Sequence, residues 1–250
     1  MLKAWKVHVA QGKQFVPDVR TAKLPLFRGL PEIGAKACEQ GCQECIDVCP
    51  SPGAIVVDGG VKIDLGKCTL CGECAFVCPT KKISFTNDYR IASHVREGLV
   101  VGENTKLTPV AVSEKMKAIF GRSLKLREVS AGGCNACELE MNALGNVNFD
   151  MQRYGIEWVA SPRHADGLVI TGPISKNMAE ALELAWEGMP SPKLVIAVGA
   201  CAISGGVFQE SDCLDRSFLG RFTPNLYVPG CPPHPLTFAA AILDFLGRES

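Results

Sequence analysis

Hydrophobic residues in the second half of the chain fall into short runs separated by amphipathic stretches. The runs predict β-strands at 124–129, 156–160, 168–171, 194–198 and 226–228. The stretches between several of these runs predict helices at 137–144, 175–188 and 235–246. Strands that alternate with helices are typical of a mostly parallel sheet. We therefore predict an α/β domain over 123–250, built on a doubly wound, flavodoxin-like parallel sheet.

The first half has a different pattern, in which short apolar segments follow compact runs of cysteines. The segments 54–58 and 83–86 read as strands, and each comes shortly after one cysteine run. This repeated unit predicts an α+β, ferredoxin-like domain over 34–97, preceded by an extension at 1–33. Residues 98–122 contain no cysteine, include a turn-prone Gly-Glu-Asn-Thr segment and end in a short predicted helix, so we expect a linker there.

Charge and hydropathy narrow the range of partners. The chain of 250 residues is 47% hydrophobic and carries 26 basic and 26 acidic residues, so no net charge favours nucleic acid or acidic lipids. No apolar stretch approaches the ~20 residues that span a bilayer, and no export signal opens the sequence. We expect protein partners, a cytoplasmic location and, for work at a membrane, peripheral attachment to the cytoplasmic face of the inner membrane.

The 13 cysteines are better explained by metal ligation than by disulfides, because a reducing cytoplasm keeps thiols free. The second cysteine run has the spacing Cys-x-x-Cys-x-x-Cys-x-x-x-Cys-Pro of bacterial ferredoxins. It consists of Cys68, Cys71, Cys74 and Cys78, followed by Pro79. In that pattern three thiolates hold one [4Fe-4S] cluster and the fourth holds a neighbouring cluster.

The first cysteine run has the same form, with one extra residue between its first two members. It consists of Cys38, Cys42, Cys45 and Cys49. By the crossed rule of two-cluster ferredoxins, each run lends its fourth cysteine to the cluster of the other run. The expected ligand sets are Cys38, Cys42, Cys45 and Cys78 for one cluster, and Cys49, Cys68, Cys71 and Cys74 for the other. Zinc is the alternative, but zinc ribbons use Cys-x-x-Cys pairs separated by longer loops.

Four further cysteines follow predicted strands of the C-terminal domain. They are Cys134, Cys137, Cys201 and Cys231. Loops at the carboxyl ends of parallel strands meet at one edge of the sheet, so we expect these thiols to come together. Glycines in the same loops allow the backbone to approach a cluster closely. The arrangement predicts a third [4Fe-4S] site, whereas Cys213 fits no pattern and receives no role.

A segment ahead of the first cysteine run resembles the FRGxPE segment in the ferredoxin-like component of formate hydrogenlyase-type hydrogenases. It reads Phe27-Arg28-Gly29-Leu30-Pro31-Glu32-Ile33. The 23-kDa-like ferredoxin subunit of respiratory complex I is a more distant relative. The resemblance covers about the first hundred residues. It implies that 1–33 is a docking extension, since the equivalent segment of such relatives lies along the contact with the membrane arm.

The remainder, from about Leu124 onward, resembles the small subunit of energy-converting, membrane-associated [NiFe] hydrogenases, which is related to the 20-kDa-like subunit of complex I. Residues 161–166 read Ser-Pro-Arg-His-Ala-Asp and look like the family's PRHAD signature. The Cys-x-x-Cys spacing of Cys134 and Cys137, and His164 where complex I usually has Gln, favour the hydrogenase branch. The resemblance implies that the four C-terminal cysteines hold a proximal cluster beside a nickel-iron centre on a partner chain.

Three other residues in these motifs are candidates for tuning that cluster. Glu138 follows a ligand cysteine at the start of a predicted helix, where the helix dipole also favours an acidic side chain. Arg163 and His164 could donate hydrogen bonds to the cluster and raise its reduction potential. The alternative for Arg163 and His164 is an ordinary surface loop.

These observations predict an electron-transfer subunit of a formate hydrogenlyase-like [NiFe] hydrogenase, an oxidoreductase complex, with three [4Fe-4S] clusters on this chain. The DPCxxC motif of a nickel-bearing large subunit does not occur in the sequence, so the nickel-iron site is expected on a partner. The resemblance also implies contacts with membrane-arm subunits and with a redox subunit or ferredoxin. Alternatives are a nickel-free, complex I-like quinone oxidoreductase assembly, and a cluster-bearing scaffold or redox sensor without turnover.

Overall fold

The computed structural model of the chain describes residues 2–12 and 15–248. Residues 1, 13 and 14 of the expected extension, and 249–250 of the expected C-terminal domain, lie outside the described residues. The N-terminal part contains, in chain order, α1 (Leu2–Gln11), β1 (Pro31–Ile33), α2 (Glu44–Asp47), β2 (Ile55–Val57), β3 (Val61–Asp64), α3 (Glu73–Val77), β4 (Ile83–Phe85) and β5 (Val100–Gly102).

Two small antiparallel sheets organise this part. Strand β1 pairs with β4, and β3 lies between β2 and β5. The sheets cover a core that includes Ile63, Leu65 and Leu99, each fully buried. Strand β5 lies within the stretch expected to be a linker, yet Val101 is paired with Ile63 of β3. The chain after the second cysteine run therefore adds β5 as the third strand of the sheet that contains β2 and β3.

The C-terminal part is an α/β domain, as the alternation of runs and stretches predicted. Its elements are α4 (Glu114–Phe120), β6 (Leu124–Ser130), α5 (Ala136–Ala143), β7 (Ile156–Trp158), β8 (Gly167–Thr171), α6 (Lys176–Glu187), β9 (Leu194–Val198), α7 (Gly199–Ser204), α8 (Ser217–Arg221), β10 (Leu226–Val228) and α9 (Pro235–Phe245).

One five-stranded parallel sheet forms the centre of this domain. The strand order is β10-β9-β8-β6-β7, and every neighbouring pair is parallel. Every residue of β8 and β9 is buried, because layers of structure cover both faces of the sheet. Their sequences accordingly read as unbroken apolar runs.

Helix α9 covers one face of the sheet and is the most apolar helix of the domain. Its residues from Pro235 to Leu243 are all buried, and Phe238 is completely inaccessible to solvent. Its amino end is capped by His234, whose Nδ1 accepts a hydrogen bond from the Leu236 backbone N–H at 3.1 Å. The cap fixes where the helix starts, directly after the loop that carries Cys231.

The two parts share a hydrophobic core across the other face of the sheet. Ile63 and Leu65 of the N-terminal part belong to the same buried cluster as Leu168 and Ile170 of β8. Ser93 also pairs with Tyr227 of β10 through two backbone hydrogen bonds, of 3.1 and 2.8 Å. The cysteine-rich region is therefore packed directly onto the parallel sheet. Within the described ranges, no helix has the length and apolar character needed to cross a membrane.

Candidate metal centres

The first set of thiols lines one small cavity between α2 and β4. The cysteines around it are Cys38, Cys42, Cys45 and Cys78. Burial raises the pKa of the Cys45 thiol, and negative charge on the other three members raises it further. Cys78, the last cysteine of the second run, thus faces the first run. The extra residue after Cys38 does not remove that thiol from the set.

The second set contains the remaining cysteines of both runs, namely Cys49, Cys68, Cys71 and Cys74. Burial, reinforced by the charges of the other three, raises the pKa of Cys68 to about 12. The pKa of Cys49 is raised by burial and then by the charge of Cys71. The two sets are also neighbours, so the charge of Cys45 contributes to the raised pKa of Cys74.

In both sets, a backbone N–H group donates a hydrogen bond to a cysteine sulfur. The Leu70 N–H donates to Cys68 Sγ, and the Lys82 N–H donates to Cys78 Sγ, each at 3.3 Å. Leu70 and Lys81 adopt left-handed conformations, with φ of 56° and 51°, which turn the chain around the thiols. Such N–H to sulfur bonds are one means by which a protein adjusts the reduction potential of an iron–sulfur cluster.

Arg28, in the segment ahead of the first cysteine run, is exposed and binds the backbone of the loop that carries Cys71 of the second set. Its Nη1 donates to the Leu70 carbonyl at 2.9 Å and to the Cys71 carbonyl. Gly72 has φ of +85°, and a Cβ at that position would lie 2.7 Å from Arg28 Nε. The glycine therefore leaves room for the guanidinium to reach the loop.

The third set lies at the carboxyl edge of the parallel sheet. Cys134 and Cys137 follow β6, Cys201 lies in α7 after β9, and Cys231 follows β10. Burial is the main cause of the raised pKa of Cys137, and Glu138 and the other three thiols add to it. Burial and the charges of Cys231 and Cys134 raise the pKa of Cys201 to about 11.

Glycine makes the close approach in the third set possible. Gly199 has φ of +87°, and a Cβ there would lie 2.8 Å from Cys137 Sγ. Any larger residue would separate the loop after β9 from the loop after β6. Asn135 is left-handed as well, with φ of 70°, between the two cysteines of the Cys-x-x-Cys pair.

The donor chemistry of all three sets fits four-iron clusters, whereas no group of three cysteine, histidine or acidic side chains among the described residues is arranged to hold a single metal ion. Each set offers four thiols, which are the ligands that such clusters take. Thiols with raised pKa values are neutral at pH 7, so iron must displace their protons on binding. Next to the third set, the Arg216 guanidinium donates a hydrogen bond to the Cys201 carbonyl. No ion pair among the described residues supplies Arg216 with an anion. A cluster with its thiolates would supply that negative charge.

Comparisons with known proteins agree with this geometry. Residues 134–245 match the family model described as NADH ubiquinone oxidoreductase, 20 Kd subunit, and residues 61–81 match a 4Fe-4S binding domain. The chain is 44% identical over 117 residues to a probable membrane-bound hydrogenase subunit mbhJ of Pyrococcus furiosus, covering 46% of this chain and 70% of that protein. The chain belongs to the 20 kDa subunit family.

Two further relatives show the kinds of complex in which members of the family occur. The chain is 37% identical over 156 residues to formate hydrogenlyase subunit 7 of Escherichia coli. The matched region covers 62% of this chain and 58% of that protein. It is 41% identical over 120 residues to the B subunit of an NADH-quinone oxidoreductase from Geotalea daltonii, covering 47% of this chain and 70% of that protein. The family therefore includes subunits of both hydrogenase and quinone-reducing complexes.

Glu138 lies beside the third set, where its charge adds to the raised pKa of Cys137. The residue is only 7% exposed, and its Oε1 accepts hydrogen bonds from Ser130 Oγ and, at 2.8 Å, from Thr171 Oγ1. The hydroxyls come from the carboxyl ends of β6 and β8. This carboxylate is thus fixed by the sheet and lies next to Cys137 in the chain.

Arg163 and His164 are placed elsewhere. They are exposed on a 3-10 turn, Pro162–His164, ahead of β8. The five residues of β8, at ~3.3 Å each, separate that turn from the edge that carries the thiols. Asp166 explains part of the motif, because its side chain accepts from the Lys125 N–H at 2.7 Å and its carbonyl accepts from the Leu194 N–H at 3.0 Å. The structure does not bring Arg163 and His164 to the thiols but leaves them in an exposed turn, which agrees with the surface-loop alternative.

A second acidic residue, Glu128, accompanies Glu138 and was missed by the sequence reasoning. Burial raises the pKa of Glu128 to about 7, and the charge of Glu138 contributes. Its Oε1 is buried without a hydrogen-bond partner among the described residues. The signal was available, because Glu128 occupies the position that alternation along β6 assigns to the face of Leu124 and Leu126.

Substituting Glu128→Gln is expected to stabilise the protein more at pH 8 than at pH 5. A carboxyl group whose pKa rises from 4.5 to about 7 on folding costs stability as pH rises between these values. Glutamine removes that cost, so the gain in unfolding free energy should be roughly 1 kcal/mol at pH 5 and roughly 3 kcal/mol at pH 8. Anaerobic thermal unfolding at both pH values measures it, with exposed Glu157→Gln as the control. A gain independent of pH would contradict the burial of an ionised carboxylate.

Proposed function

We propose that the chain is the electron-transfer subunit of a formate hydrogenlyase-like [NiFe] hydrogenase, an oxidoreductase complex whose nickel-iron site is on a partner. The observation that carries the proposal is the grouping of the cysteines. Every cysteine except Cys213 falls into one of three groups of four. One group lines a single cavity, one comprises the other cysteines of the two runs, and one lies at the carboxyl edge of the parallel sheet. The clusters bound by these sets would supply one-electron storage sites at fixed positions.

The proposed ligand sets follow the crossed pattern in the N-terminal part. The first cluster takes Cys38, Cys42, Cys45 and Cys78, and the second takes Cys49, Cys68, Cys71 and Cys74. The third, proximal cluster takes Cys134, Cys137, Cys201 and Cys231. Cys49 acts on the second run and Cys78 on the first, which supports the crossing.

The second set is the one that faces the third. A Cβ at Gly66, two residues before Cys68, would lie 2.8 Å from Ile203 Cγ2 in the helix that carries Cys201. The Gln209 side chain also donates to the Pro52 carbonyl, close to Cys49. These contacts support the order third, second, first set, which leaves the first set as the point of exchange with another redox partner.

The division of the chain into modules is part of the proposal. The ferredoxin-like domain is proposed to span 34–97 and the proximal-cluster domain 123–250. The linker between them, 98–122, contains strand β5, which pairs with β3 of the ferredoxin-like domain. Numbered from the first strand of the parallel sheet, the strand order is 2-1-3-4-5, which supports a flavodoxin-like, doubly wound arrangement. Fusion of the two modules in one chain would fix the order of the clusters.

The N-terminal extension is proposed to dock against membrane-arm subunits. None of the residues of α1 is buried, and Leu2, Trp5 and Val9 are among its exposed apolar side chains. An exposed apolar set on a helix is typical of a surface that meets a partner. The complex would then hold the chain peripherally at the cytoplasmic face of the membrane.

Metal analysis of the complex tests the hydrogenase proposal. The complex is purified anaerobically through a tag on this chain, and its iron and nickel are measured together with the masses of the co-purifying subunits. Nickel in a co-purifying large subunit is the expected result. The same cluster iron without nickel, in a complex that reduces quinones, would replace the proposal with the complex I-like alternative. Clusters that exchange no electrons with any partner would indicate a scaffold or sensor.

A further inference from the structure

Arg216 is a partly buried cation that has no carboxylate partner among the described residues. Its guanidinium donates to the carbonyls of Pro173 and Cys201 at 3.1 Å and of Ala202 at 2.7 Å. None of the ion pairs in the described part of the chain includes it. The neighbouring Asp215 accepts instead from the Ser217 N–H. A desolvated cation that meets only carbonyl oxygens is poorly compensated unless an anion is near.

The nearest other charges do not compensate Arg216. Burial lowers the pKa of Arg216, Arg96 lowers it as well, and negative charge on Cys201 raises it. Arg96 is itself neutralised by Asp64, whose two carboxylate oxygens accept from the guanidinium at 2.8 and 2.7 Å. The Arg96–Asp64 pair is therefore balanced, and the positive charge of Arg216 remains.

Arg96 and Arg216 lie in the region where the second and third cysteine sets face each other, which we call the seam. On one side, the Asp64 carbonyl accepts from the Cys68 N–H at 3.0 Å. A Cβ at Gly66 would lie 2.8 Å from both Arg96 Cζ and Ile203 Cγ2, so a glycine is needed where the seam is tightest. On the other side, Arg216 holds the backbone of Cys201 and Ala202.

We propose that Arg216 is a positioning residue that provides the fixed counter-charge of the third cluster and raises its reduction potential. The inference rests on the proposed function, because it requires a cluster at Cys134, Cys137, Cys201 and Cys231. Reduction adds one negative charge to the cluster, and a fixed cation in a poorly solvated site stabilises the reduced form more than the oxidised form. The Arg96–Asp64 pair adds almost no net charge, so Arg216 dominates the balance at the seam.

Redox titration followed by EPR tests this role in the whole complex. Arg216→Gln removes the charge and keeps an N–H donor for the carbonyls. At a fixed potential it should lower the ratio of reduced to oxidised third cluster about tenfold, equivalent to about 59 mV for a one-electron couple. Arg216→Lys should stay close to the unchanged protein because the charge is retained. Arg221→Gln is the matched control, since Arg221 is exposed, pairs with Glu183 and ends helix α8, which begins directly after Arg216.

Asp64→Asn provides a test of opposite sign. It leaves Arg96 unbalanced, so the reduced fraction of the third cluster should rise rather than fall. A purely structural role for the seam would shift both variants in the same direction. The proposal is overturned if Arg216→Gln leaves the midpoint unchanged or if Asp64→Asn lowers it. If Arg216→Gln does not assemble, Asp64→Asn and Arg216→Lys decide the outcome. Absence of a third cluster in the unaltered complex would instead defeat the proposed function.

Discussion

Replacing Cys201 with alanine is expected to remove about one third of the iron bound by the chain, since one of three four-iron clusters would be lost. Burial and the charges of two neighbouring thiols raise the pKa of Cys201, as expected for a thiol that lies among the other members of the third set. Alanine offers no ligand atom. The EPR signal of the third cluster should disappear, while those of the two ferredoxin-like clusters remain.

Cys213→Ala is the matched control for this experiment. Cys213 is exposed and lies only a short distance along the chain from Cys201. The control should keep all of its iron and all three signals. Equal iron in both variants would show that Cys201 is not a ligand, and equal loss in both would show that the loss reflects general damage to the fold.

Pairs of substitutions in the two cysteine runs should reveal the crossed ligation directly. Cys42→Ala combined with Cys78→Ala should lose about four irons, no more than either change alone, because both residues serve one cluster. Cys71→Ala combined with Cys78→Ala should lose about eight, because two clusters are affected. Iron and acid-labile sulfide are measured on each purified variant.

The same pairs discriminate against ligation within each run. If each run held its own cluster, Cys71 and Cys78 would share a site, and the outcomes of the two double variants would be exchanged. The two measurements therefore check each other. The structural basis for the crossed outcome is that Cys78 lines the cavity with Cys42, whereas Cys71 acts on Cys68.

The parallel sheet was predictable because its strands are buried on both faces. Such strands read as continuous apolar runs, and β8 and β9 match the runs predicted at 168–171 and 194–198. Strands β1, β3 and β5 were not predicted. Each has only three or four residues, too few for alternation to be visible, and β1 and β5 also depend on partner strands distant in sequence.

The cysteine positions could be predicted because ligand spacing is local in sequence. The charges around them could not, since they depend on tertiary contacts. Arg216 meets carbonyls from two separate loops, and no spacing rule links it to Pro173 or Cys201. Arg28 stood in a recognised segment, but its contact with the Cys71 loop becomes visible only when the chain is folded. The PRHAD motif indicated the family, but its spacing could not tell that Asp166 gives it a role at the amino edge of the sheet, away from the thiols.

Iron quantitation combined with EPR of the reduced chain tests the three-cluster arrangement most directly. The chain is purified anaerobically, its iron, sulfide and zinc are measured, and the spins are counted after full reduction. We expect about twelve irons, about twelve sulfides, no stoichiometric zinc and three one-electron signals. About eight irons with two signals would show that the C-terminal thiols hold no cluster, and zinc in place of iron would contradict the electron-transfer role.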